Sequence, residues 1–229
     1  MTSMMPPTRG YWERWAEQSL GWKPAIEFLQ PFGRDYPERF APLEPLRLEL
    51  GALRGVEVPP VSWLYATWLR LGFVGPDDLS SITVETYYPR TAPNLREITE
   101  RPVHLRGLEL TDDSRVVLHV EDGGLYREAR AAAAAGLDRA RQMLAADPAM
   151  TPAGDTFQPV IDIAYLDGTA SEGAVIQAID PYRTIDLGEV TPTHLMLGRI
   201  TRRPETHYAF FDVFAEVPMR GAQRGGYRS

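Results

Sequence analysis

Apolar residues along this 229-residue chain come in short runs, each broken by Pro, Gly or acidic turn residues. Ala25–Gln30 reads as a first strand. Pro45–Arg54 (PLRLELGALR) carries Leu46, Leu50 and Leu53 on one stripe behind a leading proline, which predicts a short helix stopped by Gly55. Pro59-Pro60 then sets an extended approach to Ser62–Phe73 (SWLYATWLRLGF), whose aromatic and apolar content predicts a buried strand. Asp77 or Asp78 is placed to cap a helix through Leu79, Ile82 and Thr86 that Pro89 would end. Val103–Leu110 and Arg115–Glu121 read as strands joined by the turn residues Thr111–Ser114.

The second half begins with an alanine-rich helix from Gly124 to about Ala146, with Leu125, Leu137 and Leu144 on its apolar side and Pro148 beyond its end. Arg127, Arg130 and Arg139 interrupt that run, so it is not a membrane span. Phe157–Leu166 (FQPVIDIAYL) is a further buried strand, and Ser171 caps a helix that runs to Ile179 before Asp180-Pro181. Glu189–Ile200 and Ala209–Val217 pair as a hairpin around Arg202–Glu205. Residues 1–24 are aromatic and irregular (Tyr11, Trp12, Trp15, Trp22) and read as an arm packed on the body. Strands and helices in this mixture imply an α+β fold.

Composition narrows the chemistry. The balance of 24 basic against 31 acidic residues gives a net charge of −7, which argues against a surface gripping many phosphates and so against nucleic acid as partner. There is no cysteine, which excludes disulfides, thiolate metal sites and cysteine nucleophiles. The N-terminal stretch has no apolar signal core and no run is long enough to span a bilayer, which predicts a cytoplasmic protein without membrane contact. No H-x-H or H-x-x-x-H spacing supports a metal. The absence of G-x-G-x-x-G, Walker and G-x-S-x-G motifs calls for no nucleotide cofactor and no elbow-type serine hydrolase. Basic residues near the end (Arg199, Arg202, Arg203, Arg220, Arg224, Arg228) read as a solvated hairpin tip and tail. The oligomeric state is open.

Two segments carry a likeness. Pro59-Pro60-Val61-Ser62-Trp63-Leu64-Tyr65-Ala66-Thr67-Trp68, with Gly72 beyond, resembles the P-x-x-W-L-H-x-T-L strand of the 2H phosphoesterase superfamily, the bacterial RNA 2′,5′-ligase-like and cyclic phosphodiesterase proteins. Phe157–Tyr165 resembles that family's F-x-P-H-x-[ST]-L-A-Y strand. Arg101–Arg106, Gly124–Met143 and Phe214–Pro218 are similar to its intervening strand, long helix and last strand. The resemblance implies a two-lobed fold with antiparallel sheets around a central cleft and helices outside. It divides the chain into an aromatic arm (1–24), one bilobal domain (25–219) and a flexible basic tail (220–229).

In that family one histidine from each motif exchanges protons with the substrate, and a hydroxyl two residues on holds its phosphate. Here the positions hold Tyr65 with Thr67, and Val160 with Asp162. A phenol titrating near 10 is a poor base, and valine carries no proton. A carboxylate at 162 would repel a phosphate, so the cleft is expected to take a neutral or cationic organic small molecule. Strand alternation puts Trp63, Tyr65 and Thr67 on one face and Val160 and Asp162 on another. Asp162, with its pKa raised in an apolar pocket, would act as acid or base, and Tyr65 would donate to an oxygen.

Catalytic candidates are therefore Tyr65, Asp162 and Thr67, and substrate-binding candidates Trp63, Val160, His104 and His119. The reading that follows is a non-hydrolytic cyclase or isomerase of a bacterial biosynthetic pathway. Two alternatives stand beside it: an inactive binding protein, with Asp162 merely paired to Arg70 or Arg106, and an atypical RNA or cyclic-nucleotide phosphodiesterase using other histidines.

Overall fold

The computed structural model describes residues 10–18, 22–73, 81–143, 158–202 and 208–221. In chain order its elements begin with α1 (Tyr11–Gln18), β1 (Ala25–Gln30) and the single turn α2 (Phe32–Asp35), followed by a 3-10 stretch over Pro37–Leu43 and α3 (Glu44–Gly51). Next come β2 (Val56–Glu57), a 3-10 turn at Val61–Trp63, β3 (Ala66–Phe73), α4 (Ser81–Leu95), β4 (Val103–Leu110) and β5 (Arg115–Glu121). The rest comprises α5 (Leu125–Met143), β6 (Val160–Leu166), α6 (Glu172–Ile179), β7 (Asp186–Val190), β8 (His194–Arg202) and β9 (Ala209–Pro218).

The strands form two antiparallel sheets. One has the order β3-β1-β8-β9 and the other β2-β6-β5-β4-β7. Helices α4 and α5 pack together against the first, and α3 and α6 against the second. The uncovered faces look toward each other, and β3 and β6 come closest across the gap. This is an α+β architecture of two lobes about a cleft. Among the described residues no helix is long and apolar enough to cross a membrane.

Local chemistry accounts for most boundaries. Ser171 Oγ accepts from the Ala174 amide at 3.4 Å at the start of α6. Asp122 accepts from the amides of Gly124 and Tyr126 at 3.1 and 2.7 Å and so opens α5. Strand β1 is buried on both faces, with Ile26 and Phe28 in the main core and Ala25 and Leu29 on the cleft side. Phe28 stacks on Trp68, ring centres 4.8 Å apart, beneath α5.

Four expectations change. The 62–73 run begins as a 3-10 turn, and β3 starts only at Ala66, because Gly33 is pressed onto that turn. A Cβ on Gly33 would fall 1.7 Å from the Val61 carbonyl oxygen. Helix α4 continues past Pro89 and Pro93 to Leu95. Its packing on α5 outweighs the lost backbone bonds, and Thr91 Oγ1 donates to the Tyr87 carbonyl at 3.1 Å. The single strand expected over 189–200 is two, β7 and β8, in different sheets; Pro192 sits at the crossing, where no ladder donor is needed. The aromatic arm contains a helix, α1. The caps at Asp77 and Asp78, Phe157, the helix end at 144–146 and the tail from 222 lie outside the described residues.

Candidate functional site

On the first sheet, Tyr65 leads into β3 and is 7% exposed. Its hydroxyl accepts from Arg202 Nη2 at 2.9 Å, at the end of β8. Burial raises the Tyr65 phenol well above its ordinary value; Arg202 opposes that shift, while Glu27, Asp162 and Tyr11 add to it. Tyr65 is thus a neutral phenol near neutrality, a donor rather than a base. Two residues on, Thr67 Oγ1 donates to Glu27 Oε2 at 2.5 Å, and Arg70 Nε donates to Glu27 Oε1 at 2.7 Å. Glu27 is fully buried in β1. Burial pushes its carboxyl up, but Arg70, Arg202 and the Thr67 hydroxyl together outweigh that and hold it below the usual carboxylate range. Trp63 stands at the rim, edge-on to Phe210 and Phe211 at 5.3 and 5.1 Å.

On the second sheet, Asp162 of β6 accepts from Arg115 Nη1 at 2.7 Å and from the Tyr165 hydroxyl at 3.1 Å. The expected apolar pocket is therefore corrected to a charged, hydrogen-bonded seat. Its partner is neither Arg70, which holds Glu27, nor Arg106, which holds Glu121 at 2.6 Å. With Arg115 neutralising Asp162, the ground for preferring a neutral or cationic guest is gone. Val160 pairs with His119 across β5 and β6.

The two histidine candidates sit further out on this sheet. His104 Nε2 meets Asp186 Oδ1 at 2.6 Å, and that bond, first among the causes, lowers the Asp186 carboxyl. His119 Nε2 lies 3.4 Å from Glu109 and lines a cavity of about 350 Å³ with Arg106, Gln158 and Arg183. Tyr65, Thr67 and Asp162 thus belong to one charged network through Glu27 and Arg202, with Trp63 beside Tyr65 on Phe211. Val160 lies two residues before Asp162 on β6, and His104 is held by Asp186 of β7.

Helix α1 closes one side of the cleft and touches both lobes. Tyr11 and Trp12 pack on Tyr165 of β6, ring centres 4.8 and 4.7 Å apart. Trp15 meets Phe73 of β3 edge-on at 5.7 Å, and the guanidinium carbons of Arg202 and Arg70 lie 3.7 and 4.8 Å from its ring centre. Arg14 Nη2 donates to Ser114 Oγ at 2.7 Å. The helix is seated tightly, since a Cβ on Gly10 would come within 2.5 Å of Asp167 Cα and the Gly168 amide.

Sequence reasoning missed Glu27, Arg70, Arg115, Tyr165 and Arg202 as cleft residues. Glu27 had a signal, being the single charge inside the apolar run AIEFLQ. Arg202 had none: its sequence context reads as a solvated hairpin tip, yet the residue is 5% exposed. Its neighbour Arg199 does face solvent, where it pairs with Asp212 at 2.9 Å.

No protein-family model matches the sequence, and among curated proteins no relative matches it. The fold has clear solved counterparts. The TT0787 protein of Thermus thermophilus superposes with a TM-score of 0.62 at 18% identity, over 87% of this chain and all of that one. A phosphoesterase superposes at 0.54 with 10% identity, over 85% of this chain and 98% of the other. Escherichia coli LigT, complexed with ATP, gives 0.53 at 13% identity over 86% and 98%. The chain has the 2H phosphoesterase-like fold. On the 2H-like scaffold, the two motif-bearing strands are β3 and β6, the pair that approach across the cleft.

Proposed function

We propose that the cleft binds an organic small molecule and rearranges it without hydrolysis, as a cyclase or isomerase on a 2H-like scaffold. The observation carrying this reading is the Arg202–Tyr65 pair. A buried guanidinium donates to the phenol oxygen, leaving the phenol proton for an incoming acceptor, and a donor polarised in this way suits a carbonyl oxygen that gains negative charge. Asp162, oriented by Arg115 and Tyr165, takes a proton from the carbon next to that carbonyl. The C–H electron pair moves into a carbon–carbon double bond and the carbonyl oxygen becomes an enolate. The proton then returns at a different carbon, or the enolate carbon attacks a second carbonyl of the same molecule, whose C=O π pair moves to its oxygen and takes the proton back from Asp162. Thr67 holds Glu27, and so acts as a positioning residue for the network behind Tyr65. Trp63 and Val160 form the walls.

Loss of both motif histidines supports rearrangement over phosphodiester chemistry, since Tyr65 is no base and Val160 carries no proton. LigT has been solved with ATP, and also with 3′-AMP and NADP+. Those complexes are consistent with a small organic guest on a scaffold of this kind. A second reading, a binding protein without turnover, is favoured by one observation: α1 packs three aromatic side chains into the space beside Tyr65 and Asp162.

The test is to incubate the protein with panels of keto acids and polyketide-like carbonyl compounds and to follow rearranged or cyclised isomers by chromatography and mass spectrometry. The proposal expects such products from the wild type and at least a hundredfold slower formation in Asp162→Asn and Tyr65→Phe. Undiminished turnover in both variants, or hydrolysis of 2′,3′-cyclic nucleotides in place of rearrangement, would refute it.

A further inference from the structure

Arg202 is nearly buried, yet only one of its three nitrogens is used. Nη2 donates to Tyr65, whereas Nε and Nη1 find no hydrogen-bond acceptor among the described residues. Nor does the indole nitrogen of Trp15, whose ring lies against the guanidinium at 3.7 Å. Three buried donors in a single contact are a standing cost, because a buried donor left unpaired loses its hydration and gains nothing in return. A π face attracts a cation but offers no lone pair in the plane of the guanidinium. The nearest carboxylate, Glu27, has one oxygen engaged by Thr67 and the other by Arg70. Asp162, seated by Arg115 and Tyr165, does not accept from Arg202 either. Among the described residues no carboxylate accepts a hydrogen bond from the Arg202 guanidinium, which is built to hold one.

We infer that Arg202 is the subsite for an aromatic carboxylic acid, which takes the place of Trp15 on the guanidinium and supplies the acceptors that the indole lacks. This rests on the cleft as the ligand site and deepens it by naming the substrate class. A carboxylate carries the single charge required and fits the planar fork of an arginine. A phosphate dianion would bring two negative charges to this one guanidinium, because Arg115 and Arg70 are already engaged by Asp162 and Glu27. The neighbouring rings of Tyr11, Phe73 and Phe211 suit a flat aromatic body. Trp15 is then a resident stand-in, and binding moves α1 off Arg202.

The experiment titrates the full chain with benzoate, benzamide and inorganic phosphate at constant ionic strength, reading calorimetry and tryptophan emission. Benzoate is expected to bind at least tenfold more tightly than benzamide or phosphate and to shift the emission to the red as Trp15 leaves its seat. Trp15→Leu, which vacates the position, should bind benzoate severalfold more tightly. Arg202→Met and Arg202→Gln should lose the preference for acid over amide; should both misfold, the wild-type and Trp15→Leu titrations decide alone. Equal binding of acid and amide, tighter binding of phosphate, or no gain in Trp15→Leu would each overturn the assignment. The two readings fail separately. Rearrangement by a wild type that binds benzoate no better than benzamide overturns the acid subsite alone, and preferential benzoate binding by a protein that rearranges no carbonyl compound overturns the rearrangement alone.

Discussion

Glu27 offers the sharpest test of how the cleft is held together. It is a carboxylate at 0% exposure in the middle of β1, facing Thr67 at 2.5 Å and Arg70 at 2.7 Å. Replacing it by Gln keeps the shape and removes the charge. Two effects compete in magnitude. If only a neutral hydrogen bond is lost, the cost is about 1 kcal/mol. If a buried ion pair is broken, the cost is about 3–5 kcal/mol, because Arg70 is left without its carboxylate. Arg70 is 30% exposed and can turn part of its guanidinium to water, which places the expected loss at about 3 kcal/mol, the low end of that range.

Urea denaturation followed by far-UV circular dichroism measures it, without relying on tryptophans that move with α1. The pH dependence carries a sign. The folded Glu27 carboxyl titrates below its unfolded value of about 4.3. Its contribution is therefore complete above that value and lost as pH falls through the lower, folded one. The gap between wild type and Glu27→Gln should be flat from neutrality to about pH 5 and shrink in more acidic solution. A loss of about 1 kcal/mol or less at neutral pH, or a gap that widens on acidification, would refute the ion-pair account.

Two further substitutions probe the frame around the cleft. Gly10→Val forces a side chain into the turn at Asp167–Gly168, and is expected to unseat α1, redden tryptophan emission and raise its quenching by acrylamide; an unchanged spectrum would show that α1 does not depend on this seat. Gly136→Ala pits two effects against each other. Helix propensity gains about 1 kcal/mol, but the new Cβ would lie 2.5 Å from the Arg90 carbonyl oxygen and 2.8 Å from Thr91 Cα. Over-packing of that kind costs about 1–3 kcal/mol, so thermal denaturation should show a net loss, and a rise in Tm would mean that α4 and α5 separate readily.

Where elements begin and end was legible from the chain wherever the deciding chemistry is local. Alternation and turn residues located β1, β4 and β5 at the residues found, and Ser171 and the alanine run located α6 and α5. That Tyr65 and Asp162 come near each other was legible because the paired motifs said which strands approach. What tertiary structure alone decided were the partners. Arg115 lies 47 residues from Asp162, and Arg202 lies 137 from Tyr65. A charge is satisfied by whatever stands within a few ångströms, and sequence order does not carry that distance. Likewise Pro89 reads as a stop until α5 is packed beneath it, and Arg202 reads as a surface charge until α1 covers it. Local propensities are worth tenths of a kcal/mol per residue, whereas burial and ion pairing at long sequence separation are worth several, so contacts settled what spacing could only propose.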